Sequence, residues 1–265
     1  MPFFTDQLHR TIELNKKPER IISLVPSQTE LLFHLGLDTE VVGITKFCIH
    51  PGHWYREKQR VGGTKNINLQ KIIELRPDLV IANKEENVQA QIEELAGLFP
   101  VWVSDVNTLE EAYDMIERIG SLTGKDAAAK QLSANIQIAF SGLQTPNNKP
   151  QTAYLIWKDP YMTIGSDTFI HDMMIKAGFE NVFAAQKRYP RITIEDMRNA
   201  ACELLLLSSE PYPFKQKHIE EELQQQLPKT KIVLVDGEMF SWYGSRLQKA
   251  PAYFQTLHEQ IKAIM

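Results

Sequence analysis

The sequence predicts an α/β fold of two lobes, each a parallel sheet flanked by helices, joined by one long rigid helix with a ligand cleft between the lobes. Three observations carry this expectation. Short apolar runs alternate with helical segments along most of the 265 residues, as parallel sheets with helices on both faces require. The stretch Gly124–Leu143, GKDAAAKQLSANIQIAFSGL, is rich in strong helix formers and places Leu132, Ile136, Ala139 and Leu143 on one helical face. It stops at Gln144–Pro150, QTPNNKP, where prolines and asparagines end a helix. The expected organisation is a lobe over 1–107, connecting helices over 108–146 with the long helix at 124–144, and a lobe over 147–265. A helix of roughly 20 residues spans about 30 Å, the width of a small domain.

Taken in order, Arg20–Pro26 (RIISLVP) is a continuous apolar run of the kind that forms a strand buried on both faces. Ser27-Gln28-Thr29-Glu30 has the S-x-x-E form of a capping box and opens a helix through Leu31, Leu32 and Leu35, which Gly36 ends. Val41–Thr45 is the next strand and runs straight into Lys46–Trp54, KFCIHPGHW. Gly62–Asn68 has turn chemistry, and the helix through Leu69, Ile72, Ile73 and Leu75 is stopped by Pro77. A strand at Asp78–Ala82, a helix over 87–98 and a strand at Val101–Val103 complete the first lobe. In the second, Thr152–Trp157 is a strand, and Ser166 and Asp167 are N-cap choices for a helix through Ile170, Met173, Met174 and Ala177 that ends at Gly178. A helix over 195–200, a strand at Leu204–Leu207, a helix over 217–227, a strand at Lys231–Val235 and a helix over 252–264 follow.

At 43% hydrophobic and 23% charged residues the chain has the make-up of a globular protein. A net charge of −4 leaves no global basic field to attract nucleic acid. Cys48 and Cys202 are far apart and fall in different expected lobes, which argues against a disulfide framework. Cys202, within AACEL, reads as a buried small residue. The opening MPFFTDQLHR has no basic region followed by an apolar run, so the chain as written is expected in the cytoplasm.

Two clusters could carry chemistry. Cys48-Ile49-His50-Pro51-Gly52-His53 offers a thiolate and two imidazoles within one loop, ligands that suit zinc or another late transition metal, or a loop whose histidines face water. The second cluster is aromatic: Phe47, Trp54, Trp157, Tyr161, Tyr189, Trp242 and Tyr243 lie near strand ends or loops. Open α/β sheets hold ligands at the carboxyl ends of their strands, and aromatic walls suit a large flat or apolar molecule. Neither a nucleophile elbow, a phosphate loop, a dinucleotide fingerprint nor a zinc-protease helix is present. Glu220-Glu221-Glu222 reads as a solvated helical face.

The segments PERIISLVPSQTE (Pro18–Glu30), VVGIT (Val41–Thr45), NLQKIIELRPDLVI (Asn68–Ile81), AGFENVF (Ala177–Phe183) and ITIEDM (Ile192–Met197) resemble, in this order, the helical-backbone solute-binding proteins of ABC importers. Among these the likeness is to the vitamin B12 (cobalamin) binders, and it covers most of the chain. The resemblance implies two Rossmann-like lobes and a corrinoid, heme or other metal-chelate ligand held between them with little hinge motion. It also implies no enzymatic activity, no required cofactor, a monomer, an ABC transporter membrane subunit as partner and, as the alternative to the cytoplasm, a periplasmic or lipid-anchored location with the leader trimmed.

By matched position, Phe47 falls where cobalamin binders place an aromatic, Thr64 where they place a tryptophan, and Met162 at another aromatic position, while Glu238 and Trp242 fall in the last ligand loop. With Cys48, His50, Trp157, Tyr161, Tyr189, Tyr243 and Arg246 these form the expected ligand set. Were the ligand a corrinoid, His50 would either replace an axial ligand of cobalt or hydrogen-bond a side-chain amide. Glu195 matches one of two acids that dock onto transporter arginines, and Gln70 stands where the other would be. Three rivals accompany this reading: a zinc-dependent enzyme or metal-ion binder built on Cys48, His50 and His53, a cytoplasmic relative with a non-transport role, and a ligand-free interaction scaffold.

Overall fold

A computed structural model describes residues 2–264. The chain divides into two compact units. The first comprises Met1–Val106, Glu110–Asn135 and Tyr243–Arg246; the second comprises Asn107–Leu109, Ile136–Trp242 and Leu247–Met265.

The first unit opens with a short antiparallel ribbon, β1 (Phe3–Thr5) and β2 (Thr11–Glu13), too brief to leave a periodic signal. Its main sheet contains β3 (Ile21–Ser23), β4 (Val41–Ile44), β5 (Gln59–Arg60), β6 (Leu79–Asn83) and β7 (Val101–Ser104), in the order β5-β4-β3-β6-β7 with every pairing parallel. Helices α1 (Pro26–His34), α2 (Gly52–Glu57), α3 (Leu69–Leu75) and α4 (Gln89–Ala96) connect the strands. Ile22, Leu24, Val80, Ala82, Leu95 and Val103 are buried in one core between sheet and helices, which is why the strands read as unbroken apolar runs.

Helix α1 begins two residues earlier than the S-x-x-E pattern implies. Pro26 occupies its first turn and Val25 is the N-cap, without a side-chain bond. Proline fits there because its missing N–H is one the helix cannot use. The capping box does not form: Thr29 Oγ1 donates back to the Val25 carbonyl at 2.9 Å, and Glu30 is drawn to Arg246 instead.

The expected long helix over 124–144 is found as Asp126–Ser141, starting two residues later and ending three earlier, and a second connecting helix precedes it. Helix α5 (Leu109–Leu122) and α6 (Asp126–Ser141) are separated at Thr123–Lys125, where Gly124 has φ +66°, a left-handed conformation that costs other residues more. The 16 residues of α6 span about 24 Å.

The second unit has a four-stranded sheet of β8 (Gln151–Leu155), β9 (Glu180–Asn181), β10 (Leu204–Ser208) and β11 (Lys231–Val235), ordered β11-β10-β8-β9 and wholly parallel. All five residues of β10 are buried. Helix α7 (Phe169–Lys176) is capped by Thr168, not by Ser166 or Asp167. Helix α8 (Ile194–Asn199) carries a true capping box, with Thr193 and Asp196 bonding each other's backbone N–H groups. The helix expected over 217–227 is α9 (Gln216–His218), a π-helical turn Ile219–Leu223, and α10 (Gln224–Gln226). The chain closes with α11 (Glu238–Ser241) and α12 (Ala250–Ile264). Cys48 and Cys202 are both free and buried. Among the described residues no helix is long and apolar enough to cross a membrane.

Candidate functional site

At the carboxyl ends of the first unit's strands the loops are held by buried amides and hydroxyls, and at the surface by an ion pair between Lys84 and Asp105 at 2.6 Å. Asn83, the last residue of β6, donates from Nδ2 to the Ser104 carbonyl (3.1 Å) and to Ser104 Oγ (2.9 Å), while its Oδ1 accepts from the N–H groups of Glu85 (2.8 Å) and Glu86 (2.9 Å). Asn87 accepts from the Asn83 N–H at 2.8 Å and donates to the Thr64 carbonyl at 3.0 Å, tying the Gly62–Asn68 loop to the end of β6. Gln28, in the first turn of α1, reaches Ser104 Oγ through Nε2. Its Oε1 is buried with no hydrogen-bond partner among the described residues.

The expected ligand residues of this unit have different fates. Phe47, following β4, is 51% exposed, with Lys46 Nζ 5.1 Å from its ring centre. Thr64 is buried, its place fixed by Asn87. His50 is half-buried just before α2. Tyr243 and Arg246 are buried, and Arg246 makes a two-pronged ion pair with Glu30 at 2.8 and 2.9 Å. Fork-to-fork geometry of this kind joins charge to direction.

The metal expectation is corrected here. The Cys48 thiol is wholly buried and lies 3.1 Å from both Thr29 Oγ1 and Thr45 Oγ1. Burial pushes the thiol up, against the pull of those hydroxyls, and so away from the thiolate that binds metal. His53 instead sits edge-on to Phe33, ring centres 5.2 Å apart. Cys48, His50 and His53 form no metal-holding group, nor does any other set of three such residues among those described. The strand end that brings them close in sequence turns the thiol inward, which removes Cys48 from the ligand set as well.

In the second unit the structure brings Trp157, Tyr161, Met162 and Tyr189 together. The chain leaving β8 folds back as a short hairpin in which the Met162 N–H donates to the Trp157 carbonyl (3.1 Å) and the Ile156 N–H to that of Met162 (3.0 Å). The segment carrying Tyr189 runs beside it, the Thr163 N–H donating to the Pro190 carbonyl (3.0 Å) and the Ile192 N–H to that of Tyr161 (3.0 Å). Trp157 is 40% exposed and meets Tyr212 edge-on at 5.8 Å. Trp242 and Glu238 belong to a separate turn after β11. Glu195 is exposed in the first turn of α8 and pairs with Arg198 at 3.0 Å; exposed Gln70 bonds Glu74 at 3.1 Å.

Sequence reasoning missed two acids here. Glu222 is not part of a solvated face: it accepts from Tyr161 Oη and Lys158 Nζ, both on the β8 hairpin. Burial pushes its carboxyl up, but these hydrogen bonds and the Lys158 charge outweigh burial and hold it below the usual range. Burial and the carboxylate push Tyr161 up, so it stays a neutral donor. The missed signal was the i, i+3, i+4 relation of Ile219, Glu222 and Leu223, which puts the acid on the buried face. Glu210, after β10, accepts from the Trp242 indole at 2.9 Å, and no local pattern marks it.

Each unit also has a cavity near the amino ends of its strands. One, of about 590 Å³, is lined by Arg198, Cys202, Glu203, Leu227 and Lys231 among others. The other, of about 440 Å³, lies between Arg10–Glu13 and Ala96–Val101. Neither contains a residue of the expected ligand set.

Residues 21–231 match the family model described as periplasmic binding protein. An uncharacterised ABC transporter substrate-binding lipoprotein, YvrC of Bacillus subtilis, is 30% identical over 202 residues, covering 72% of this chain and 63% of that protein's length. The vitamin B12-binding protein of Photorhabdus laumondii is 27% identical over 235 residues, 87% of this chain and 84% of that one. The periplasmic heme-binding protein HutB of Vibrio cholerae shares the fold, with a TM-score of 0.78 at 20% identity over 91% of this chain and all of that chain. Such names place relatives in the periplasm or on a lipid anchor and lend no support to the cytoplasmic expectation. With the family model covering most of its length and two parallel α/β units beneath it, this chain belongs to the periplasmic binding protein family.

Proposed function

We propose that this chain is the binding component of an ABC-type uptake system and holds a metal chelate of the corrinoid or wider tetrapyrrole class, cobalamin first. The observation that carries the reading is the 27% identity to a vitamin B12-binding protein over 235 residues. Aromatic groups at the carboxyl ends of the strands support it: Phe47 after β4, Trp157 and Tyr161 after β8, Trp242 after β11. Such rings suit a large flat ligand. In this reading Thr64, Met162, Tyr189, Glu238, Tyr243 and Arg246 complete the ligand surroundings, His50 approaches the cobalt or a corrin amide, and no reaction follows. Uptake also requires the protein on the side of the membrane from which the ligand arrives, and the exposed Glu195 would meet the transporter's membrane subunit.

Titration of the purified chain with cyanocobalamin, cobinamide, heme and a ferric hydroxamate tests the reading. Binding of a corrinoid at micromolar concentration or below is expected. A folded protein that binds none of the four abandons the ligand class. For a bound corrinoid, a visible spectrum altered in His50→Ala marks coordination of cobalt, and superimposable spectra leave His50 as a wall.

A further inference from the structure

Glu210 follows β10 and Trp242 follows β11, and their side chains meet. The Trp242 indole N–H donates to Glu210 Oε1 at 2.9 Å, and Ser241 Oγ lies 2.7 Å from the same oxygen. The turn that carries Glu210 is itself fixed. Its N–H donates to Ser208 Oγ at 3.2 Å, and that hydroxyl lies 2.5 Å from the Glu210 carbonyl and 3.1 Å from Tyr154 Oη. From the facing turn the Gly237 N–H donates to Ser209 Oγ at 2.9 Å. A Cβ on Gly237 would lie 2.3 Å from Ser208 Oγ and 2.7 Å from Glu210 Cγ. The two turns therefore lock together, with the carboxylate as their hub.

We infer that Glu210 is a positioning residue for Trp242: it sets the plane of the indole, and with it the turn after β11 that faces the ligand. The inference rests on the ligand reading proposed above. An aromatic wall serves a flat ligand best when its orientation is set beforehand, because ordering a side chain on binding takes free energy from the complex. Trp242 is 6% exposed, so packing encloses the ring, and the bond at Nε1 fixes the direction of its N–H edge within that enclosure. A carboxylate acceptor makes that bond roughly twice as strong as a neutral one.

The same contact supplies a readout. Burial and the neighbouring Glu238 and Asp236 charges push the Glu210 carboxyl above the usual range, against the pull of Ser241 and Trp242. The other titratable groups at this hub, Tyr154 on β8 and Tyr253 on α12, are both pushed up by burial and stay neutral. The indole proton of Trp242 should thus sense the titration of a carboxyl that it touches.

The test compares Glu210→Leu, Glu210→Gln and Trp242→Phe with the wild-type chain, using cyanocobalamin, cobinamide and heme as probes. For whichever probe the wild type binds, Glu210→Leu is expected to weaken binding tenfold or more. Glu210→Gln, whose amide oxygen still accepts, should stay within threefold. A folded Glu210→Leu with unchanged affinity overturns the inference, as does a loss in Glu210→Gln equal to that in Glu210→Leu. The second readout needs no ligand and no leucine variant. The indole proton resonance, assigned by its loss in Trp242→Phe, should shift with pH in a step centred above the ordinary glutamate range, and the step should vanish in Glu210→Gln. A wild-type resonance without that step overturns the contact even if Glu210→Leu fails to fold. If the wild type binds none of the probes, the ligand reading fails and the positioning role with it. An indole step that persists in that case shows that the failure lies in the ligand and not in the contact.

Discussion

In the first unit the loops leaving β6 and β7 are tied within by buried neutral groups, Asn83 to Ser104 and Asn87 to Thr64, with an ion pair, Lys84 to Asp105, at the surface. In the second the loops leaving β8, β10 and β11 are tied by carboxylates, Glu222 to Tyr161 and Lys158, Glu210 to Trp242. The two sheets share a parallel topology, so the difference lies in what the loops must hold. An amide gives and accepts hydrogen bonds and can knit backbone groups into a closed network that is indifferent to pH. An ionised carboxylate only accepts, and it gathers donors such as phenol, indole and ammonium. The first unit's loop ends are therefore built to keep backbone in place, and the second unit's to orient large side chains.

The largest expected effect comes from an ion pair of the first unit that lies outside these loops. The Arg246–Glu30 pair is well shielded, with side chains 9% and 16% exposed. Removing one partner of a buried pair strands the other, at a cost of about 3 kcal/mol or more, so Arg246→Leu should lower urea-unfolding stability by about 3 kcal/mol. The double variant Glu30→Leu/Arg246→Leu should recover most of it. If the single and double variants are equally unstable, packing of the arginine stem and not its charge is what matters.

Next comes the amide network. Asn83→Ala takes away one side chain that makes four hydrogen bonds and leaves buried groups without partners, for an expected loss of about 2 kcal/mol. Because no charge is involved, the loss should be the same from pH 5 to pH 8. A loss that varies with pH would mean the two units are not distinguished in the way drawn above.

How much of this was legible beforehand follows from the range of each interaction. The strands were: Leu204–Leu207 is uninterrupted leucine and lies at the centre of its sheet as β10. The start of α1 was misread because Ser27 and Glu30 have the form of a capping box, while the proline just before them already supplies a better start. Glu30's partner lies 216 positions away, and no local pattern predicts such a pair. Cys48, His50 and His53 looked like a ligand set because they are close along the chain, but closeness in sequence at a strand end does not fix direction, and the thiol turned inward. Glu222 was hidden inside a charge run. Its helical phase relative to the buried Ile219 and Leu223 is present in the sequence, but its partners Lys158 and Tyr161 lie 64 and 61 positions away.

The smallest expected effect separates the two carboxylates of the second unit by the sign of their pH dependence. Hydrogen bonds from Lys158 and Tyr161, with the Lys158 charge, hold Glu222 below its usual range in spite of burial. A depressed carboxyl contributes stability above its unfolded pKa, about 4.3, and that contribution is lost as the pH falls through the folded value. Glu210 is raised, chiefly by burial. Its contribution is fully present below the unfolded pKa and is lost as the pH rises through the folded value. Glu222→Gln should therefore cost about 1 kcal/mol near pH 7, a modest figure because the acid is 31% exposed, and the cost should shrink on acidification below pH 4. Glu210→Gln should show the opposite trend, comparing best with wild type at neutral pH and worst in acid. Urea unfolding of the three proteins from pH 3 to pH 8 measures both slopes. Parallel curves for the two variants would show that the acids are equivalent surface charges and that neither anchors an aromatic loop.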